Sequence, residues 1–279
     1  MIPLPKPDFK ESAREIFEEC LSSFGNESLR IGLTGCLEMV EADSRTFKSS
    51  FPESILQIRE KPSLPVGVTK KDMTNVYEYK FRDDKIIRKK YYDLILSAPR
   101  FGTCPICGVN KVKNLDHYMP KSIYYTLAVT PENLIPTCRD CNYEKNARLI
   151  RSLYDAPLHP YFDSLGNDVW LTASLQLDKT VLFGVNAPSC WTKTLEARVK
   201  EHLRMYRIDE LYTIKANEFI SDQVDDRWKT LLVDCGKSIL LEQLREDCRY
   251  AEKKNMNSWE AALCRGLVSQ FPVVLGWIG

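Results

Sequence analysis

No apolar run in this 279-residue sequence approaches the roughly 18 residues that span a bilayer. The opening MIPLPKPDFKES lacks the apolar core of a secretory signal. A cytoplasmic, soluble chain with no membrane association is the expectation. Excess charge is lacking too: 39 Lys and Arg against 38 Asp and Glu leave a net +1, which excludes a bulk polycation for nucleic acid. There is no internal repeat, no low-complexity segment and no G-x-x-x-x-G-K-[ST] loop. Collagen and wholesale disorder are excluded, and any ATPase function must come from a partner.

What is present is less even. Residues 80–151 hold 14 Lys and Arg against 7 Asp and Glu, a local excess of +7 inside a chain that is otherwise acidic. That pattern fits either an anionic substrate gripped locally or a solvated basic helix. Ten cysteines are present. Four form two short pairs. The other six (Cys20, Cys36, Cys190, Cys235, Cys248 and Cys264) fall largely among apolar residues, as buried thiols do. In a cytoplasmic chain, paired cysteines point to metal before disulfides.

The flanks read as support. Phe9, Ala13, Ile16, Phe17, Cys20, Leu21 and Phe24 share a helical face over 8–24, with Asp8 as its cap. A second helix is expected near 27–47, a linker over 60–68, and a charged helix or helix pair over about 70–97. No chemistry is apparent in this front section. Beyond 165, DVWLTASLQL and TVLFGV alternate around Leu177-Asp178-Lys179, which predicts a hairpin. Helices are predicted at about 192–207, 209–233, 236–252 and 257–270. All five tryptophans lie in this last part, pointing to a core of its own. The expectation is an α+β, mainly helical protein: a helical N-terminal region over 1–99, a cysteine-framed centre over 100–163, and a C-terminal β-hairpin and helical subdomain over 164–279.

The centre carries the chemistry. Cys104-Pro-Ile-Cys107 and Cys138-Arg-Asp-Cys141 are two C-x2-C knuckles that together supply the tetrahedral four-thiolate shell of a structural zinc. Four thiolates leave no open position, so this ion holds structure. Between the pairs lie Leu115-Asp116-His117-Tyr118-Met119-Pro120-Lys121 and Pro131-Glu132-Asn133-Leu134-Ile135-Pro136, and Asn142 and Lys145 follow the second pair. In an extended segment the adjacent Asp116 and His117 side chains diverge, so a carboxylate can face a metal while an imidazole faces a water beside it. Asn142 would sit in the first turn of a helix. Its amide oxygen and the Asp116 carboxylate can share one hard cation, the habit of Mg²⁺. Neutral His117 suits a general base at cellular pH.

C-x2-C, LDHYMPK, PENLIP and CRDCNYEK in this order resemble the HNH nuclease family over roughly residues 100–150, with HPYFD at 159–163 as a trailing element. The resemblance implies a central ββα-metal finger. It implies that Asp116 ligates the catalytic ion, that His117 activates the attacking water, that Asn133 braces the loop aiming His117, and that Asn142 is the second ligand. Asn142 stands where many members carry histidine. An amide oxygen favours hard ions, so Mg²⁺ or Mn²⁺ is expected over Ni²⁺ or Zn²⁺ there. Lys121, Arg139, Lys145 and Arg148 are the expected phosphate contacts, setting position rather than sequence preference. DNA is expected ahead of RNA or tRNA. The other class in contention is a zinc-stapled module that binds nucleic acid or protein without cutting. The flanks resemble HNH nucleases of Septu-type or retron-associated antiphage systems, which implies an ABC-like ATPase partner.

Overall fold

Ser12 accepts from the amide of Glu15, and the Glu15 carboxylate accepts from the amide of Ser12. This capping box starts α1 (Ala13–Leu21). The helix therefore begins at Ser12 and not at Asp8: Glu11 stands three residues after Asp8 as Glu15 does after Ser12, but it is Ser12 that makes the reciprocal capping bonds. The computed structural model describes residues 1–166 and 168–278. The helix expected over 27–47 is two, α2 (Glu27–Thr34) and α3 (Leu37–Ser49). They part at Gly35, which lies so close to Pro65 that an added Cβ would be 3.3 Å from its ring.

Thr69 and Asp72 form a second capping box at the head of α4 (Lys70–Asn75), which continues through wider π-type turns over Val76–Phe81. Asp84 accepts from the Ile86 and Ile87 amides and starts α5 (Lys85–Ile87). That helix passes through similar turns (Arg88–Tyr92) into α6 (Asp93–Ser97). The stretch 70–97 is thus a helix pair. Phe17, Leu33, Val40, Met73, Phe81 and Tyr91 form one buried cluster with Leu115, Val129 and Leu134. Residues 1–99 and the centre therefore share a core, and the helices serve as the wall on which the centre is built.

In that centre β1 (Asn114–His117) pairs antiparallel with β2 (Leu134–Thr137), Asp116 opposite Ile135 and His117 opposite Leu134. Helix α7 (Arg139–Lys145) follows at once, completing a ββα unit. The chain divides into two compact units, Met1–Ser164 and Leu165–Gly279.

In the second unit β3 (Leu171–Leu175) and β4 (Val181–Val185) form the predicted hairpin, with Lys179 at φ +70° in its turn. Helices α8 (Lys193–Met205) and α9 (Ile208–Asp222) follow. Wider turns at Gln223–Trp228 then lead into α10 (Lys229–Lys254), α11 (Trp259–Ser269) and α12 (Phe271–Ile278). Gly236, at φ +84°, interrupts α10 at the place where the sequence predicts a new helix. The Gln270 side chain extends the edge of β3, donating to Ala173 O at 3.0 Å and accepting from Leu175 N at 3.0 Å. The protein is α+β and mainly helical, with two small antiparallel sheets among the described residues. No single helix among those residues is long and apolar enough to cross a membrane. Cys20 and Cys36 are buried as expected and Cys248 and Cys264 are half-buried, whereas Cys190, in the loop before α8, and Cys235, beside the Gly236 break in α10, are exposed.

Candidate active site

The first knuckle is a tight turn. Cys104 N donates to Asn110 O at 2.8 Å, Gly108 N donates to Cys104 O at 2.8 Å, and Gly108 takes φ +71°, a conformation that favours glycine. The second knuckle is a helix start: the Cys138 sulfur caps α7 by accepting from Cys141 N at 3.4 Å. A bond from Asn110 Nδ2 to Asp140 Oδ2 at 2.8 Å ties the two together. The four sulfurs of Cys104, Cys107, Cys138 and Cys141 all lie within 4.8 Å of one another and are buried. A tetrahedral Zn²⁺ with Zn–S bonds near 2.3 Å needs S···S edges of about 3.8 Å, so the donor set fits that ion. The cluster suggests a structural zinc, and its position fixes the end of β2 and the start of α7 relative to β1.

Beside it opens a cleft of about 700 Å³. Asp116, His117 and Asn142 all line it. Asp116 and His117 lie at the floor, 8% and 5% exposed. Although they are neighbours in β1, His117 ends the strand, and both side chains reach one cleft.

The His117 Nε2 lies 2.9 Å from the Ala128 carbonyl oxygen. A carbonyl only accepts, so Nε2 carries the proton and Nδ1 keeps its lone pair. The Tyr77 ring packs edge-on against the imidazole at 4.4 Å. Burial above all, with the positive charges of Lys121 and Lys145, holds the His117 pKa well below 6.5, against the opposite pull of the Ala128 bond. The imidazole is neutral at pH 7.

Asn133 is fully buried and joins three strands of loop. Its Oδ1 accepts from Met119 N at 2.7 Å, and its Nδ2 donates to Met119 O and Leu127 O, each at 3.1 Å. Leu127 precedes Ala128, so Asn133 holds the carbonyl that orients His117. Asn133 does not line the cleft, and its geometry is that of a positioning residue.

Lys145 departs from its expected place. It is 2% exposed, with its ammonium 3.0 Å from Asp116 Oδ2 and 2.6 Å from the His117 carbonyl oxygen. A surface phosphate contact is therefore corrected to an internal counter-charge: the last turn of α7 points back onto β1. Burial raises the Asp116 pKa from its ordinary value, and Lys145 opposes that rise. Removing one partner of a buried pair strands the other charge. Lys145→Met is expected to lower the urea-unfolding free energy by about 3–5 kcal/mol. A change under about 1 kcal/mol would mean that the pair contributes little.

Lys121 lines the cleft, paired with Glu78 at 3.1 Å and lying over the Tyr77 ring. Arg139 and Arg148 are exposed but are not among the lining residues. His159 sits instead in an aromatic cage of Phe47, Phe51, Tyr118 and Phe162, its Nδ1 accepting from Tyr161 N. Lys70, Thr74 and Glu78, from α4 and its continuation, also line the cleft, and no sequence expectation places them there. The T-x-x-D box at Thr69–Asp72 marks that helix start in sequence, but nothing local says which neighbour it faces.

Residues 104–148 match the family model described as HNH endonuclease. Protein ea31 of Escherichia phage lambda is 30% identical over 178 residues, covering 60% of this chain and 59% of that protein. The chain thus spans somewhat under two thirds of that relative's length. No solved structure matches it. By sequence match, four-cysteine cluster and ββα geometry together, residues 104–148 are an HNH endonuclease domain.

Proposed function

We propose that the protein is a metal-dependent endonuclease that hydrolyses phosphodiester bonds at the cleft floor. The observation that carries this reading is the fixed tautomer of His117, whose proton-bearing Nε2 is tied to Ala128 O within a cleft that also holds Asp116 and Asn142. Hydrolysis needs a proton acceptor, an in-line nucleophile and a stabiliser for charge on the phosphorus centre and leaving oxygen. His117 Nδ1 takes the proton from the attacking water. Asp116 and Asn142 would hold a Mg²⁺ or Mn²⁺ ion, which supplies Lewis-acid stabilisation of that charge when bound. Their hard oxygen donors suit such ions. Lys121 and Lys70, both lining the cleft, offer positive charge to the phosphate, and Asn133 keeps the Ala128 carbonyl in place.

The test is incubation of zinc-loaded protein with plasmid, single-stranded DNA and total tRNA, each with Mg²⁺ and with Mn²⁺. Cleavage of at least one supports the reading; retention of all three intact refutes it and leaves the binding module. DNA stands ahead of RNA. The ATPase partnership implied by the flanks is tested by co-purification of an untagged ATPase from the native operon.

A pH profile follows from the His117 environment. The base works in its neutral form, and its pKa is lowered from 6.5. On acidification the neutral form persists until the pH falls through the lowered value, so the acid limb of kcat/KM is expected below pH 6.5. A limb at or above 6.5 would assign the limiting proton to another group.

A further inference from the structure

We propose that Tyr143 is a stacking platform for an unpaired base, so that the cleft selects a single strand over a duplex; this rests on the nuclease reading. Tyr143 follows Asn142 on α7 and lines the cleft, yet it is 81% exposed. Among the described residues its ring has no aromatic neighbour and its hydroxyl no hydrogen-bond partner. The seven tyrosines at 77, 91, 92, 118, 124, 125 and 161 are buried, as packing requires. Tyr79 and Tyr154 are exposed, but neither lines the cleft. Among the described residues Tyr143 alone joins an open ring to the reactive groups. Its mount is firm, since the Cys138 sulfur caps α7 and Lys145 anchors the last turn of α7 to β1.

The shape of the cleft points the same way. A phosphate must descend to Asp116 and His117 past lining residues from two segments, Lys70, Thr74 and Glu78 of α4 and its continuation and Asn142, Tyr143 and Asn146 of α7 and its C-cap. A duplex keeps its second row of phosphates only about 6–12 Å away across a groove. Its paired bases keep their faces within the duplex stack and cannot lie on Tyr143 without leaving it. An unpaired strand brings one row of phosphates and a base free to turn outward. Stacking tolerates every base, because each has a π-face. The recognised ligand is therefore an unpaired nucleotide next to the scissile phosphate.

The test uses the full zinc-loaded chain and end-labelled oligonucleotides of one sequence as single-stranded DNA, RNA and duplex DNA. Binding is read by anisotropy in a His117→Ala background, and cleavage by kcat/KM in the His117-bearing protein. Tyr143→Ala is expected to weaken single-strand binding and kcat/KM roughly 5- to 100-fold. Duplex binding should stay within about twofold, and Tyr143→Phe, which keeps the π-face, should stay within about twofold on every substrate. The DNA and RNA arms identify the sugar. Equal losses on single strand and duplex, no loss at all, a Phe variant as weak as Ala, or no single-strand binding by the parent would each overturn the platform. If nothing is cut but the binding pattern holds, the nuclease reading falls and the platform stands.

Discussion

Replacing Cys138 with serine, or stripping the ion with a chelator, is expected to unfold the ββα unit and abolish activity together. A structural zinc bound by four thiolates contributes about 10–16 kcal/mol in small domains, comparable to or larger than the whole stability of an ordinary domain. The unit it holds is slight: four-residue strands Asn114–His117 and Leu134–Thr137 and the seven-residue α7. Cys138 does double service, since its sulfur also caps α7, and Asn142 and Lys145 are carried by that helix. The expected result is zinc near one per chain in the wild type and much less in Cys138→Ser. Amide protection should be lost over residues 114–117 and 134–145, with a steep drop in thermal stability. A serine variant that keeps full zinc and wild-type exchange would show that the cluster is not what organises the site.

Replacing His117 is expected to cost activity without a matching loss of fold. General-base catalysis contributes about 10²–10⁴ in rate, and His117→Ala should fall by that factor in kcat. The ring also fills space against Tyr77 and satisfies Ala128 O, so the alanine variant leaves a small cavity and an unpaired carbonyl. His117→Asn keeps a polar side chain and separates the two effects. If it melts near the wild type and still loses the rate, the loss belongs to proton transfer. If both variants cut at wild-type rates, His117 is only a packing residue.

Much of the site was legible because it is local in sequence. The knuckle spacings, the Asp116-His117 dipeptide and Asn142 directly after Cys141 each specify donors with few competing placements. Lys145 departs from its expected surface position, whereas Asn142 lines the cleft. Both were read as residues of an exposed helix, but only the tertiary packing of α7 on β1 decides that the lysine turns inward. The wall of Tyr77, Glu78, Lys70 and Thr74 lies some 40 residues upstream of the reactive pair, and no periodicity encodes which face of α4 meets the strand. The start of α1 is different: Asp8-x-x-Glu11 and Ser12-x-x-Glu15 both read as capping boxes, and only the folded chain decides that Ser12 caps the helix.

The central claim is that His117 activates water for phosphodiester hydrolysis at the floor of this cleft. It is tested most directly by single-turnover cleavage in heavy-oxygen water with Mn²⁺, followed by mass spectrometry of the new phosphate end. One heavy oxygen is predicted per cut, at a rate that collapses in His117→Asn. Cuts that carry no heavy oxygen, or that form as fast without the imidazole, would contradict it.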